Sequence, residues 1–335
     1  MIFMEKEQEQ AFDVVLEEIF KAEPLPIAHL YRLSDMQDEE EALFWSGWTA
    51  VPGERRQVIV RHLADISVDN FVVDFGHIFV RSFEDEVPAV RMAALDGLWD
   101  TTDLMLIPKI TRLMQEDKDE EVRAAAAAAL GHYVLLAEWG QLPERILPKL
   151  VESMLAAYEN DETAVSVRRA LLEGLGAADH PRIGDLIAQA YESRDPSMQI
   201  SAVFAMGNSA DRRWTATVLA EMESPYEDMR AEASRAAGAI GNSDFVPQLA
   251  SLAYDEDLAV QVAAITSLGQ IGGDEVQRIL ADMLDDPEIE ENEEVLEVVE
   301  AAMEESAMMA GDFSFVDFPI GPEDEDDDFD DDFDE

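Results

Sequence analysis

One dipeptide pattern recurs along this chain at a nearly constant interval. Val90-Arg91, Val122-Arg123, Val167-Arg168, Met198-Gln199, Met229-Arg230 and Val260-Gln261 each open a short apolar run. Counted from the first hydrophobe of each, the steps are 32, 45, 31, 31 and 31 residues. A period of this size is the signature of a stacked-repeat architecture. Within each unit the apolar residues return at helical spacing twice over, as in Ile107 to Met114 followed by Val122 to Leu130. Two helices of that length cannot bury their apolar faces alone, so neighbouring pairs must stack. The expected fold is all-α, a right-handed α-solenoid.

Local signals place the helix boundaries. Asp119, Asp195 and Asp257 stand three residues before their anchors, where a carboxylate accepts from free N–H groups. Ser224-Pro225-Tyr226-Glu227 combines a cap, a first-turn proline and a capping-box glutamate. A glycine follows five of the six anchors by nine residues, and Trp99 holds that place in the first repeat. Gly238 to Gly241 and Gly269 to Gly273 read as inter-helix turns, and His132, beside Gly131, as a packed or capping side chain at another turn. The 45-residue step carries 14 residues more than the common 31, mostly within Tyr133 to Ile146, which predicts lengthened helices or an excursion.

The resulting division is an N-terminal helical region over 1–69 that caps the solenoid, repeats over 70–287, an acidic capping helix over 288–310 and an acidic-aromatic tail over 311–335. Five tryptophans, Trp45, Trp48, Trp99, Trp139 and Trp214, are expected in the core or in a groove wall.

The units resemble HEAT repeats, in particular the short HEAT-like repeats of phycobilisome lyase proteins. Asp85 with Val90-Arg91, Asp117 with Val122-Arg123, and Asp255 with Val260 carry the resemblance. It implies that the Asp lies in the turn between paired helices, that the Arg begins the second helix, and that the two form a ladder between adjacent repeats. The ladder so implied comprises Asp85, Arg91, Asp117, Arg123, Arg168, Arg230 and Asp255. The resemblance also implies that the Val-Arg helices line the concave side. Gln199 and Gln261 interrupt the pattern.

Charge becomes informative once the repeats are placed. The chain has 75 acids against 23 bases, a net −52, in 335 residues that are 47% hydrophobic. Such a surface repels nucleic-acid phosphates and anionic membranes, so neither is an expected direct partner. Of the acids, 24 lie within residues 285–335, where no base remains, leaving −28 on residues 1–284. The diffuse part is also what adaptation to high salt produces, and Arg outnumbers Lys by 18 to 5. The tail is different: its last 13 residues hold 11 acids and two phenylalanines, in tandem Asp-Asp-Asp-Phe units. Such a segment buries too little apolar area to offset its ordering entropy and is expected to be disordered when free. It reads as a solubilising block, as a recognition segment for a basic protein, or as a self-inhibiting segment folded back on the body, which the body's own −28 opposes. Aromatic rings spaced among carboxylates favour recognition. Its candidate residues are Asp326, Asp327, Asp328, Phe329, Asp330, Asp331, Asp332 and Phe333.

The common catalytic signatures do not occur in the sequence. There is no cysteine, and none of the five histidines pairs at i, i+4 or precedes Glu. The iron-binding His-Glu pairs of deoxyhypusine hydroxylases, which are HEAT-like enzymes, are therefore not reproduced. No Gly-x-Ser-x-Gly elbow occurs, and the glycine clusters follow no strand. The N-terminus begins acidic rather than basic, and no apolar run approaches membrane-spanning length, which predicts a soluble, cytoplasmic chain. The function expected is a non-catalytic scaffold, adaptor or chaperone-like protein without a cofactor. It would engage a basic protein through the concave face and the tail. A tetrapyrrole-binding accessory resembling the bilin lyases and a nucleic-acid mimic are the alternatives.

Overall fold

The computed structural model describes residues 10–34, 36–70 and 72–309, and these form helices joined by short turns. The N-terminal elements are α1 (Phe12–Lys21), the single turn α2 (Ile27–Leu30), α3 (Asp38–Trp48) and α4 (Gly53–Asp69). Pairs follow: α5 (Gly76–Ser82) with α6 (Pro88–Asp96), α7 (Ile107–Glu116) with α8 (Glu120–Glu138), and α9 (Leu147–Glu159) with α10 (Val165–Leu175). Next come α11 (Ile183–Tyr191) with α12 (Pro196–Asn208), α13 (Thr215–Glu221) with α14 (Glu227–Ile240), and α15 (Val246–Leu252) with α16 (Leu258–Ile271). The described chain ends with α17 (Asp274–Leu284), the short α18 (Pro287–Glu290) and α19 (Glu293–Met309).

The second helices of the pairs, α4, α6, α8, α10, α12, α14, α16 and α19, form one continuous layer, each packed on the next. The first helices of the pairs lie outside and contact their own partners more than each other. Closer spacing in one layer makes it the inner, concave layer of an α-solenoid. All six anchors, Val90, Val122, Val167, Met198, Met229 and Val260, are buried between the layers. Full burial of such a side chain is worth ~1.5–3 kcal/mol, and repetition along the stack makes one continuous core.

The glycine of each repeat has a different role from the turn position expected. Gly131, Gly207, Gly238 and Gly269 lie inside the inner helices, and Gly176 caps the end of α10. A Cβ on Gly131 would stand 2.5 Å from the Cα of Gly174, and one on Gly207 would stand 2.8 Å from the Cα of Ala236. These glycines let inner helices touch backbone to backbone. Gly241, with φ of 65°, is a true turn glycine at the left-handed end of α14.

Asp119, Asp195 and Asp257 cap α8, α12 and α16 by accepting from their first-turn N–H groups. Ser224 departs from expectation. The α14 helix starts at Glu227 with Tyr226 in the cap position and no side-chain cap bond, so no capping box forms. The long step has both expected causes: α8 runs for 19 residues, and the chain then makes an excursion before α9.

Both ends of the stack are closed differently. At the N-terminus Phe20, Phe44, Trp45 and Trp48 form an aromatic cluster, with Phe44 and Trp48 stacked at 5.0 Å. At the other end α19 lays Val295, Val299 and Ala302 on α16 and leaves Glu294, Glu297 and Glu300 exposed. No helix among the described residues is long and apolar enough to cross a membrane.

Candidate functional site

The inner layer has one edge, where its helices begin, and one free face. Along the edge each ladder aspartate does two jobs. Asp117 accepts from the backbone N–H of Asp119 at 2.9 Å, fixing the turn, and takes both Nε and Nη2 of Arg91 at 2.8 and 2.7 Å. Arg91 also donates to the carbonyl of Asp85 in its own turn at 2.7 Å. Asp255 and Arg230 repeat the fork at 2.8 Å on both arms, and Arg230 also reaches the Ser224 carbonyl. Bidentate pairs of this type are among the stronger protein hydrogen bonds. The Arg230 guanidinium holds the Asp255 carboxyl below its ordinary range despite partial burial.

Arg123 and Arg168 are not brought to a carboxylate in this way. They donate to the carbonyls of Asp117 and Asn160. The reason lies in the following turns. The turn after Arg123, before α10, has Asn160, and the turn after Arg168, before α12, has Ser193, each accepting the N–H two residues on as Asp117 and Asp255 do elsewhere. Gln199, on α12, donates instead to the Tyr191 carbonyl at 3.1 Å.

Asp85 meets an arginine that the repeat pattern did not point to. It accepts from Arg56 Nη1 and from Trp48 Nε1, both at 2.8 Å, and all three side chains are buried. Arg56 follows Arg55 outside the Val-Arg register. A usable signal existed, since Arg56 precedes its aspartate by 29 residues, while Arg91 and Arg230 precede theirs by 26 and 25.

Where the edge ladder lapses, the inner helices are tied together on their free face. Arg169 on α10 donates to Ser201 Oγ on α12 at 2.8 Å, and Ser201 donates to Glu173 on α10. Asn208 Nδ2 reaches the Glu173 carbonyl at 3.1 Å. On α14, Glu232 accepts from Arg235 at 3.0 Å and is only 9% exposed. Burial pushes the Glu232 carboxyl above its usual range, Arg235 opposes this, and Glu173 adds to it. None of these residues belonged to the expected site.

The inner helices also expose small and apolar side chains. Ala128, Ala239 and Ala259 are exposed on α8, α14 and α16, and Phe204 on α12 is 38% exposed beside half-buried Ile200. Two tryptophans expected to be core or wall are largely exposed: Trp99 at 56% and Trp139 at 65%. Trp99, in the turn after α6, stacks on His132 of α8 at 4.5 Å, and burial lowers the pKa of this histidine. His132 thus sits within a helix, not at a turn. Small side chains and exposed rings on a concave surface supply apolar contact area for a convex partner.

Among the described residues no group of three or more His, Asp or Glu is placed to hold a metal ion. Asp326, Asp327, Asp328, Phe329, Asp330, Asp331, Asp332 and Phe333 lie outside the described residues.

Comparison with known proteins agrees with this architecture. The HEAT repeat model matches residues 106–136, and a second model, described as HEAT repeats, matches 215–303. No curated protein matches the chain. Solved structures with similar helical stacks include human deoxyhypusine hydroxylase in complex with glycerol, at 17% identity over 91% of this chain and 98% of that one, with a TM-score of 0.35. An engineered protein aligns at 16% identity over 88% of each chain, with a TM-score of 0.37. A chain from the structure of Kap95p with RanGDP aligns at 13% identity over 90% of this chain and 42% of that one, with a TM-score of 0.39. Likenesses this distant carry no argument about activity or partners. Repeat spacing, the two-layer stack and the family matches agree on one statement: this chain carries HEAT repeats.

Proposed function

We propose that this protein is a non-catalytic binding scaffold whose concave inner layer receives a protein surface. The acidic-aromatic tail adds a second contact with a basic region of the same or another partner. The observation that carries this reading is the contrast on the inner layer. On a chain of net −52 the inner helices expose Ala128, Phe204, Ala239, Leu258 and Ala259 among their charged residues, with Trp99 and Trp139 exposed near them. Aromatic anchors within small-residue surroundings supply the contact energy of many interfaces. The acidic outer surface and tail would accelerate encounter with a basic partner and reject nucleic acid. Two linked contacts raise avidity without either being strong.

The test is affinity capture from native lysate with three full-fold versions: wild type, Phe204→Asp, and a chain ending before Asp312. Basic proteins retained by wild type should be lost with Phe204→Asp while helical content stays unchanged. Their yield should fall with the shortened chain and at raised salt. Recovery of the same proteins in the same yield by all three would refute the reading.

A further inference from the structure

We propose that the outer groove between α7 and α9 is the docking site for the chain's own Phe329 to Phe333 segment, held there by aspartate contacts to Arg112, Arg145 and Lys149. This deepens the reading above, because it gives the recognition segment a resting place that a basic partner must compete with.

The groove flanks the irregular step, with α7 on one side and α9, reached after the 19-residue α8 and the excursion, on the other. The cleft that remains has a volume of about 410 Å³, within the ~300–1,000 Å³ range of recognition pockets. Leu104, Ile107, Ile146 and Leu150 line its apolar part, and Gln115 bonded to Ser153 at 3.1 Å bridges the two helices.

Its charge is what singles it out. Arg112, Arg145 and Lys149 line it against a single acid, Glu116. Arg145 and Lys149 enter no ion pair among the described residues, and Arg112 has only a 4.0 Å approach to Glu84, with both side chains mostly exposed. Three cations with so little compensation on a body of net −28 form a local attraction for carboxylates against a repelling background.

The final segment has the complementary composition. Phe329 and Phe333 stand four residues apart among aspartates, so one helical turn places both rings on the same side. Reach also fits. The 20 positions from Met309 to Phe329 span up to ~66 Å when extended and ~25 Å as a random coil. Four to five helix-pair steps of ~10 Å separate the last repeat from the groove, a distance between those limits.

The absence of cysteine makes the test direct. Full-length chain carrying Gln141→Cys and Glu335→Cys, labelled with a donor and an acceptor, reports the tail-to-groove distance. High transfer is expected in this chain. Transfer should drop when Arg145→Glu and Lys149→Glu are added, with the docked population falling about tenfold, and also with Phe329→Ala plus Phe333→Ala. Arg212→Glu, a charge reversal away from the groove, should leave transfer unchanged at equal helical content. Equal transfer with and without the Arg145 and Lys149 reversals would overturn the proposal. So would transfer appearing only between singly labelled chains, which would make the occupant a second copy. No binding partner enters this measurement, so scaffolding and docking can fail independently.

Discussion

The ends and the centre of this solenoid are held together by different chemistry. Toward the N-terminus, Arg56–Asp85 and Arg91–Asp117 clamp successive turns, and toward the C-terminus Arg230–Asp255 does the same. Across α8, α10 and α12 these clamps lapse. The connections there are the direct backbone approach of Gly131 to Gly174 and the free-face network of Arg169, Glu173 and Ser201. An edge clamp leaves the inner face uncommitted, whereas the central network places polar groups on it. The ends are therefore fastened along the edge, and the centre across the inner helices, where Arg169 and Glu173 are half-buried and Ser201 is buried.

Breaking the N-terminal clamp should have the largest effect. Asp85→Ala leaves Arg56, only 4% exposed, without its buried carboxylate, and loss of one partner of a buried pair costs ~3–5 kcal/mol. Denaturant unfolding measures this, and a loss below ~1 kcal/mol would show that Glu86 or water replaces Asp85. In the centre, Gly131→Val should cost ~2–3 kcal/mol, because its Cβ must displace the α10 backbone. Loss of cooperativity in the same unfolding curve would show that the stack splits at that contact.

Acid separates the two regions by sign. The folded-state pKa of Asp255 lies below its unfolded value, so its contribution is complete above about pH 4 and is lost as pH falls through the folded value. The folded-state pKa of Glu232 lies above its unfolded value, so the folded state gains as pH falls through that raised value, and the gain is complete below about pH 4. Stability measured against pH should therefore decline less steeply in acid for Asp255→Asn than for wild type. For Glu232→Gln the gain on mild acidification should disappear. Matching pH profiles for both variants would remove the distinction between edge and centre. The smallest effect is expected at Arg61→Ala, whose pair with Asp96 is exposed on both sides, at no more than ~0.5 kcal/mol by thermal unfolding.

Much of the fold was legible from spacing alone. The Val-Arg anchors marked every inner helix from α6 to α16, and three aspartates marked caps that the structure places as expected. The glycines were misjudged because a small residue near a helix end and a small residue at a helix contact look alike in one dimension. Only Gly241, Gly272 and Gly273, of those clusters, take left-handed or otherwise positive φ. Arg56 escaped because it stands outside the Val-Arg register, although its 29-residue distance to Asp85 is close to the 26 and 25 of the other clamps. The central network escaped for a stronger reason. Ser201 and Glu232 stand three residues after their anchors and Glu173 six after its own, positions at which the repeat pattern sets no residue type, and nothing about an acid on an acidic chain signals burial.

The sequence by itself determined the helix-pair repeat, its period, the caps and the division of charge between body and tail. These depend on local spacing and composition, which one dimension records in full. Tertiary structure decided which arginines find carboxylates, which aromatic rings stay exposed, and where uncompensated cations gather around a cleft. Each of those depends on what the neighbouring repeat presents, which lies about thirty residues away in the chain.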